Sequence, residues 1–160
     1  MLFSIGQSID PHKVNNILNT WFKQNEWDRH HYPGGFSLIK AFDELKESAY
    51  FQQDVRLYAD DMEQLLKGNL DHWKQSHHAS LAFIILSELF SKVLHKGTSK
   101  AYTFDPFAQK LARSIVQDKA RFARYRYYER LTILLPLMNS EYLRDVELCQ
   151  QMHKELVKDA

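Results

Sequence analysis

The chain has 160 residues, of which 44% are hydrophobic and 26% charged, and its formal net charge is +1. That length fits one domain with a substantial core; the composition excludes a disordered chain, and the near-zero charge excludes a global field that draws the protein to nucleic acid or membrane. One cysteine, five glycines and four prolines exclude a disulfide framework, a Cys-based zinc site and the turn density of an all-β fold.

The opening Met-Leu-Phe-Ser-Ile-Gly-Gln has no basic stretch followed by an apolar run, so it does not read as a secretory signal. Residues 1–9 read as an irregular N-terminal segment. Asp10-Pro11 is an N-cap followed by proline at the first helical position. Val14, Ile17, Leu18, Trp21 and Phe22 then recur at helical spacing, which predicts a first amphipathic helix over about 10–24. Residues 25–35, with Pro33-Gly34-Gly35, read as a loop. A second helical run starts near Phe36 or Ser37 and carries Ile39, Phe42 and Leu45 on its apolar face. Asp54 is the expected cap of a third, carrying Val55, Tyr58, Met62, Leu65 and Leu66 and closed by Gly68. A single bent helix over 37–67 fits the pattern nearly as well.

The run from about 76 to 96 is the most apolar. Leu81, Ala82, Phe83, Ile85, Leu86, Leu89, Phe90, Val93 and Leu94 cover more than half of its circumference, leaving Ser80, Ser87, Glu88 and Ser91 on a narrow strip. A helix of that kind has neighbours on several sides. Gly97 ends it, and residues 97–103 read as a linker. Asp105-Pro106 repeats the earlier cap signal and opens a helix expected to run to Leu135, where Pro136 stops it. Ser140 is the expected cap of a last helix carrying Leu143, Val146, Cys149, Met152, Leu156 and Val157. No run alternates like a strand. The predicted fold is a single all-α domain, a helical bundle of five to seven helices packed around the central apolar helix.

Charge concentrates in one place. Residues 98–138 hold eight Lys/Arg against Asp105, Asp118 and Glu129, while the flanking regions are mildly acidic. Within that segment, Lys119 to Arg130 interleaves five basic residues with four aromatics. On a continuous helix Arg113, Gln117, Arg121, Arg124 and Tyr128 share one polar face. Such a row can track phosphates while tyrosine stacks, or it can be a packed helix whose cations reach past the rings to water. Arg126 and Arg130 fall toward the apolar side of the same helix. Either the helix breaks near Asp118, or these two meet buried carboxylates, or that arc meets another chain. The candidate binding residues are Arg113, Lys119, Arg121, Arg124, Arg126, Tyr128 and Arg130. No helix-turn-helix spacing, RNA-binding strand motif or zinc finger accompanies them.

Eight histidines include His30 and His31 beside the Pro-Gly-Gly loop and His72, His77 and His78 before the central helix. Their spacing lacks the i, i+4 pairing of a helical metal site. His78 falls on the apolar arc and reads as a helix-start or core residue. Asp60, Asp61, Glu63, Glu44 and Glu47 read as solvated acidic faces, and Cys149 as packed and inert. No nucleophile elbow or glycine-rich phosphate loop is present, so no cofactor is implied. No apolar run reaches the roughly 18 residues of a membrane span.

These features point to a non-catalytic helical protein of the cytoplasm, a subunit or regulator whose 113–130 segment contacts a protein partner or nucleic acid. Two other readings stand beside it. One is a small cytosolic module that neutralises a toxin or enzyme through the acidic 37–67 region. The other is a metal-dependent enzyme built on His30, His31, His72, His77 and His78.

Overall fold

Helix α1 (Pro11–Phe22) begins where Asp10 caps it in the computed structural model, which describes residues 8–22 and 42–158. The Asp10 carboxylate accepts from the His12 amide at 2.9 Å and its carbonyl from Val14, so the Asp-Pro signal acts as expected. The expected 25–35 loop, the start of the second run with Phe36 and Ile39, His30, His31, residues 1–7 and the Val157 side chain lie outside the described residues.

Helices α2 (Ala49–Arg56) and α3 (Ala59–Leu66) are separate, so the bent-helix alternative yields to a break at Leu57 and Tyr58. Asp54 is not the cap. It lies inside α2, which Ser48 caps with extended backbone and a hydroxyl accepting from the Phe51 amide, while α3, which carries Met62, Leu65 and Leu66, starts after Tyr58 without a side-chain cap. Gly68 follows α3 at φ +83°, the left-handed conformation that ends helices.

A short 3-10 turn (Asp71–Gln75) leads into α4, residues 77–94. α4 is regular over His77–Ile84, widens to a π-helix over Ile85–Phe90, and returns to α over Ser91–Leu94. Two serines bond back into this stretch: Ser87 Oγ donates to Phe83 O and Ser91 Oγ to Ser87 O, both at 2.7 Å. Such back-bonds compete with the helical ladder, and π segments recur at functional sites. α4 packs against α1, α2 and α3, and against α5 (Asp105–Gln117) and α7 (Tyr127–Met138). It is the centre of an all-α bundle, and among the described residues there is no strand. The stretch read as a linker holds a 3-10 turn, Ser99–Tyr102.

Aromatic side chains tie the layers together. Trp21 is fully buried and meets Phe42 edge-on at 5.6 Å; Phe51 meets Phe90 at 5.8 Å, and Tyr58 stacks on Phe90 at 5.4 Å. Each fully buried ring contributes about 1.5–3 kcal/mol by leaving water, and the partly buried Phe42 less. Trp21 Nε1 donates to Thr132 Oγ1, so the indole's one donor is satisfied inside the core.

Pro136 does not stop a helix. It sits inside α7, two residues before the end, and the helix continues past it to Met138 without the bond that an N–H at 136 would give to the carbonyl of Thr132. The last helix, α8 (Leu143–Lys158), packs on α7, but its buried face differs from the predicted one. Leu143 is exposed and Asp145 is buried, because an arginine from α5 draws the carboxylate inward.

Candidate functional site

The basic segment is three elements, not one. Asp118 adopts extended backbone after α5 and its carboxylate accepts from the Arg121 amide, capping the five-residue helix α6 (Lys119–Ala123). A second corner follows at 124–126. Arg126 is extended, and Glu129 closes the start of α7 by accepting from the Arg126 amide at 2.8 Å. The continuous polar face expected over 113–130 therefore does not exist.

Its residues separate accordingly. Arg113 is structural: Nε and Nη2 donate to the two oxygens of Asp145 at 2.8 and 2.7 Å, and Ser140 Oγ also donates to that carboxylate. The guanidinium holds Asp145 below the usual carboxylate range, and Asp145 holds Arg113 above its own. Arg121 also turns inward, donating to Lys74 O and to Ser80 Oγ, which ties α6 to the 3-10 turn and α4. Tyr128 is buried and offers no stacking face. Arg126, expected on an apolar arc, is exposed because the corner resets the helical phase. Arg130 is half-buried, its Nε enclosed without a hydrogen-bond partner among the described residues. Lys119 and Arg124 are exposed and have no carboxylate partner among the described residues.

Two depressions flank this region. The first is a groove of about 570 Å³ bounded by Lys74, His77, Lys110, Arg121 and Arg124, with Asp118 as the one carboxylate lining it among the described residues. His77 stacks on Tyr125 at 4.0 Å, and the Tyr125 hydroxyl donates to His77 O. Burial is the main cause that lowers the His77 pKa, so the ring tends to the neutral form. Lys74 is paired with Asp71, whereas Lys110 and Arg124 are uncommitted among the described residues.

The second is a cleft of about 920 Å³ whose floor is Glu88, from the π segment of α4, with Lys92, Asp105 and Asn139. Glu88 is 1% exposed. Its two oxygens accept from Asn139 Nδ2 at 2.7 Å and from Lys92 Nζ at 3.0 Å, and Lys92 Nζ also donates to Asp105 at 2.7 Å. Asp105 therefore does not cap α5. It stands in the first turn and its carboxylate serves Lys92. Burial pushes the Glu88 carboxyl above its usual range against the pull of Lys92. Burial works to lower Lys92, but Glu88 and Asp105 outweigh it and hold the ammonium above its ordinary value. Tyr102 and Tyr142 also line it and are 68% and 66% exposed.

Sequence reasoning passed over Glu88 as part of a polar strip. The signal was present: a lone acid in an apolar helix, with a lysine four residues on, in the favourable Glu-then-Lys order. Of the other acids read as solvated, Asp61 is instead buried and meets Lys13 at 2.9 Å, whereas Glu47 and Glu63 keep exposed side chains and form surface pairs with Lys96 at 2.6 Å and with Lys100. Among the histidines, His78 is exposed instead of packed: the first turn of α4 buries Ala79 and Ser80 and leaves His78 on its outer side. Among the described residues no three His, Cys, Asp or Glu side chains converge on a metal position. Cys149 is buried, its thiol pushed up to about 11 by burial, consistent with packing. No helix among the described residues is long and apolar enough to cross a membrane.

Residues 17–160 match the model of a family described as bacterial protein of unknown function (DUF924), and the chain belongs to that family. No curated protein matches it. A solved structure of a protein of unknown function from Agrobacterium tumefaciens is similar in fold, with a TM-score of 0.68 and 19% identity, over 91% of this chain and 74% of that one.

Proposed function

We propose that this member of a bacterial family of unknown function is a non-catalytic helical binding protein whose basic groove beside α6 contacts the phosphate backbone of a nucleic acid, as a cytoplasmic subunit or regulator of a larger assembly. The observation that carries the reading is the groove's charge: Lys74 is paired with Asp71 and Arg121 is turned inward, but Lys110 and Arg124 also line it, and Asp118 is the one carboxylate of the lining among the described residues. Lys110 and Arg124 have no acid to neutralise them among the described residues, and Lys119 and Arg126 extend the exposed charge along the same segment. Arg121, fixed by Lys74 O and Ser80 Oγ, gives the groove a rigid wall. Tyr128 plays no part, so contact is electrostatic and indifferent to base sequence.

Fluorescence anisotropy with a nonspecific labelled oligonucleotide tests this. Binding appears at low salt and weakens as salt rises, with a log–log slope of about −2 to −3 for three phosphate contacts. The double substitution Lys110→Glu and Arg124→Glu abolishes it while leaving the circular dichroism spectrum unchanged. Absence of binding at low salt, or binding indifferent to that double substitution, overturns the reading. Recovery of an acidic protein whose affinity fails with the same substitutions would instead assign the groove to a protein partner.

A further inference from the structure

We infer, resting on the reading of the basic groove as a phosphate site, that His77 is its proton switch: when the imidazole takes up a proton it adds a positive charge to the wall and tightens the hold on a phosphate backbone. Three observations lead there. The first is position. His77 is the one histidine lining the groove among the described residues, with Lys110, Arg121 and Arg124. Its place is fixed twice by Tyr125. The two rings stack at 4.0 Å with 14° between their planes, and the Tyr125 hydroxyl donates to the His77 carbonyl at 2.7 Å.

The second is that the ring is uncommitted. It is half-buried, and neither nitrogen is enclosed or has a hydrogen-bond partner among the described residues. Taking up a proton therefore breaks no internal bond. An imidazolium lying over the Tyr125 face also gains a cation–π attraction.

The third is the charge around it. Burial disfavours a positive ring, as do His78 on the same helix and Arg124 and Arg121 from α6 and the corner after it; Glu129, in the first turn of α7, favours one. Lys110 and Asp118 from α5, and Lys74 from the 3-10 turn, itself paired with Asp71, complete the charges of the groove. The balance holds the free ring neutral at pH 7. A phosphate seated against Lys110 and Arg124 offsets the repulsion, so the bound form has the higher pKa. Binding then draws in a proton, and affinity rises as pH falls through the interval between the free and bound values.

The probe is a labelled oligothymidylate without a terminal phosphate, whose own charge is constant over about pH 5.5–8, the range in which an imidazole titrates. At fixed, low ionic strength, fluorescence anisotropy shows a level affinity at the alkaline end and a gain of about three- to tenfold at the acid end, tenfold corresponding to one pKa unit. His77→Phe keeps a ring on Tyr125 without a titrating nitrogen. It binds as the parent does at the alkaline end and shows no gain on acidification. Nuclear magnetic resonance gives a readout on the unmodified protein: the titration midpoint of the His77 imidazole moves up when the oligothymidylate is added. A flat affinity profile with binding intact, an equal gain in His77→Phe, or an unmoved midpoint overturns the switch and leaves the groove's phosphate contact standing. Absence of binding across the whole pH range overturns both.

Discussion

The cleft and the groove share α5 and even one residue, Lys110, yet they treat charge in opposite ways. In the cleft, Glu88, Lys92, Asp105 and the neighbouring Arg113–Asp145 pair each have a partner of opposite sign. In the groove, Lys110 and Arg124 have none among the described residues. Depth accounts for the difference. A carboxylate 1% exposed is tolerated only when paired and hydrogen-bonded, whereas an exposed guanidinium is satisfied by water. A basic stretch read along the chain thus mixes cations that hold the fold with cations free to meet a ligand.

The sharpest way to break this contrast is at Lys92. Lys92→Met leaves Glu88 and Asp105 facing each other without a counter-charge and should cost about 3–5 kcal/mol, measured by urea denaturation. A loss below about 1 kcal/mol would mean that the buried pairing is no more important than surface charge.

Next is the Arg113–Asp145 pair. Asp145→Ala should cost about 2–3 kcal/mol at neutral pH, since it strands a half-buried guanidinium. The pH dependence of melting temperature separates the two carboxylates. The folded-state pKa of Asp145 is depressed, so its stabilisation is present above the ordinary carboxylate value and is lost as pH falls. The folded-state pKa of Glu88 is raised, so its contribution is present below that value and is lost as pH rises through the raised one. Asp145→Ala should therefore flatten the acid side of the profile, and Glu88→Gln the fall at higher pH. Identical profiles for both variants and the parent protein would remove the distinction.

The smallest effects compare two arginines three residues apart. Arg121→Ala removes two inward hydrogen bonds and should cost about 1–2 kcal/mol. Arg124→Ala, exposed, should change stability by less than about 0.5 kcal/mol. Equal costs would show that Arg121 is as peripheral as its neighbour.

Much of the fold was legible along the chain. The Asp10-Pro11 cap, the periodic Val14–Phe22 face, the apolar 76–96 run and the two terminating glycines all rest on contacts within a few residues, which sequence spacing encodes directly. The candidate sites were less legible. Arg113 and Arg121 read as members of one cationic face because a 3.6-residue period was extended across Asp118, where an aspartate cap ends one helix and starts another. Leu143 read as core because local hydrophobicity carried no knowledge of Arg113, thirty residues away, pulling Asp145 into the bundle.

By itself, then, the sequence determined the helical class, the central helix and where charge is dense, since propensity, periodicity and composition are local quantities. Tertiary structure alone decided which charges are spent. The partner of Lys92 four residues away could be read from spacing, but Asp105 and Asn139 reach Glu88 and Lys92 only when α4, α5 and α7 pack together. Burial is a property of that packing. It selects which ions must be paired, leaving Lys110, Lys119, Arg124 and Arg126 outside for water or a ligand.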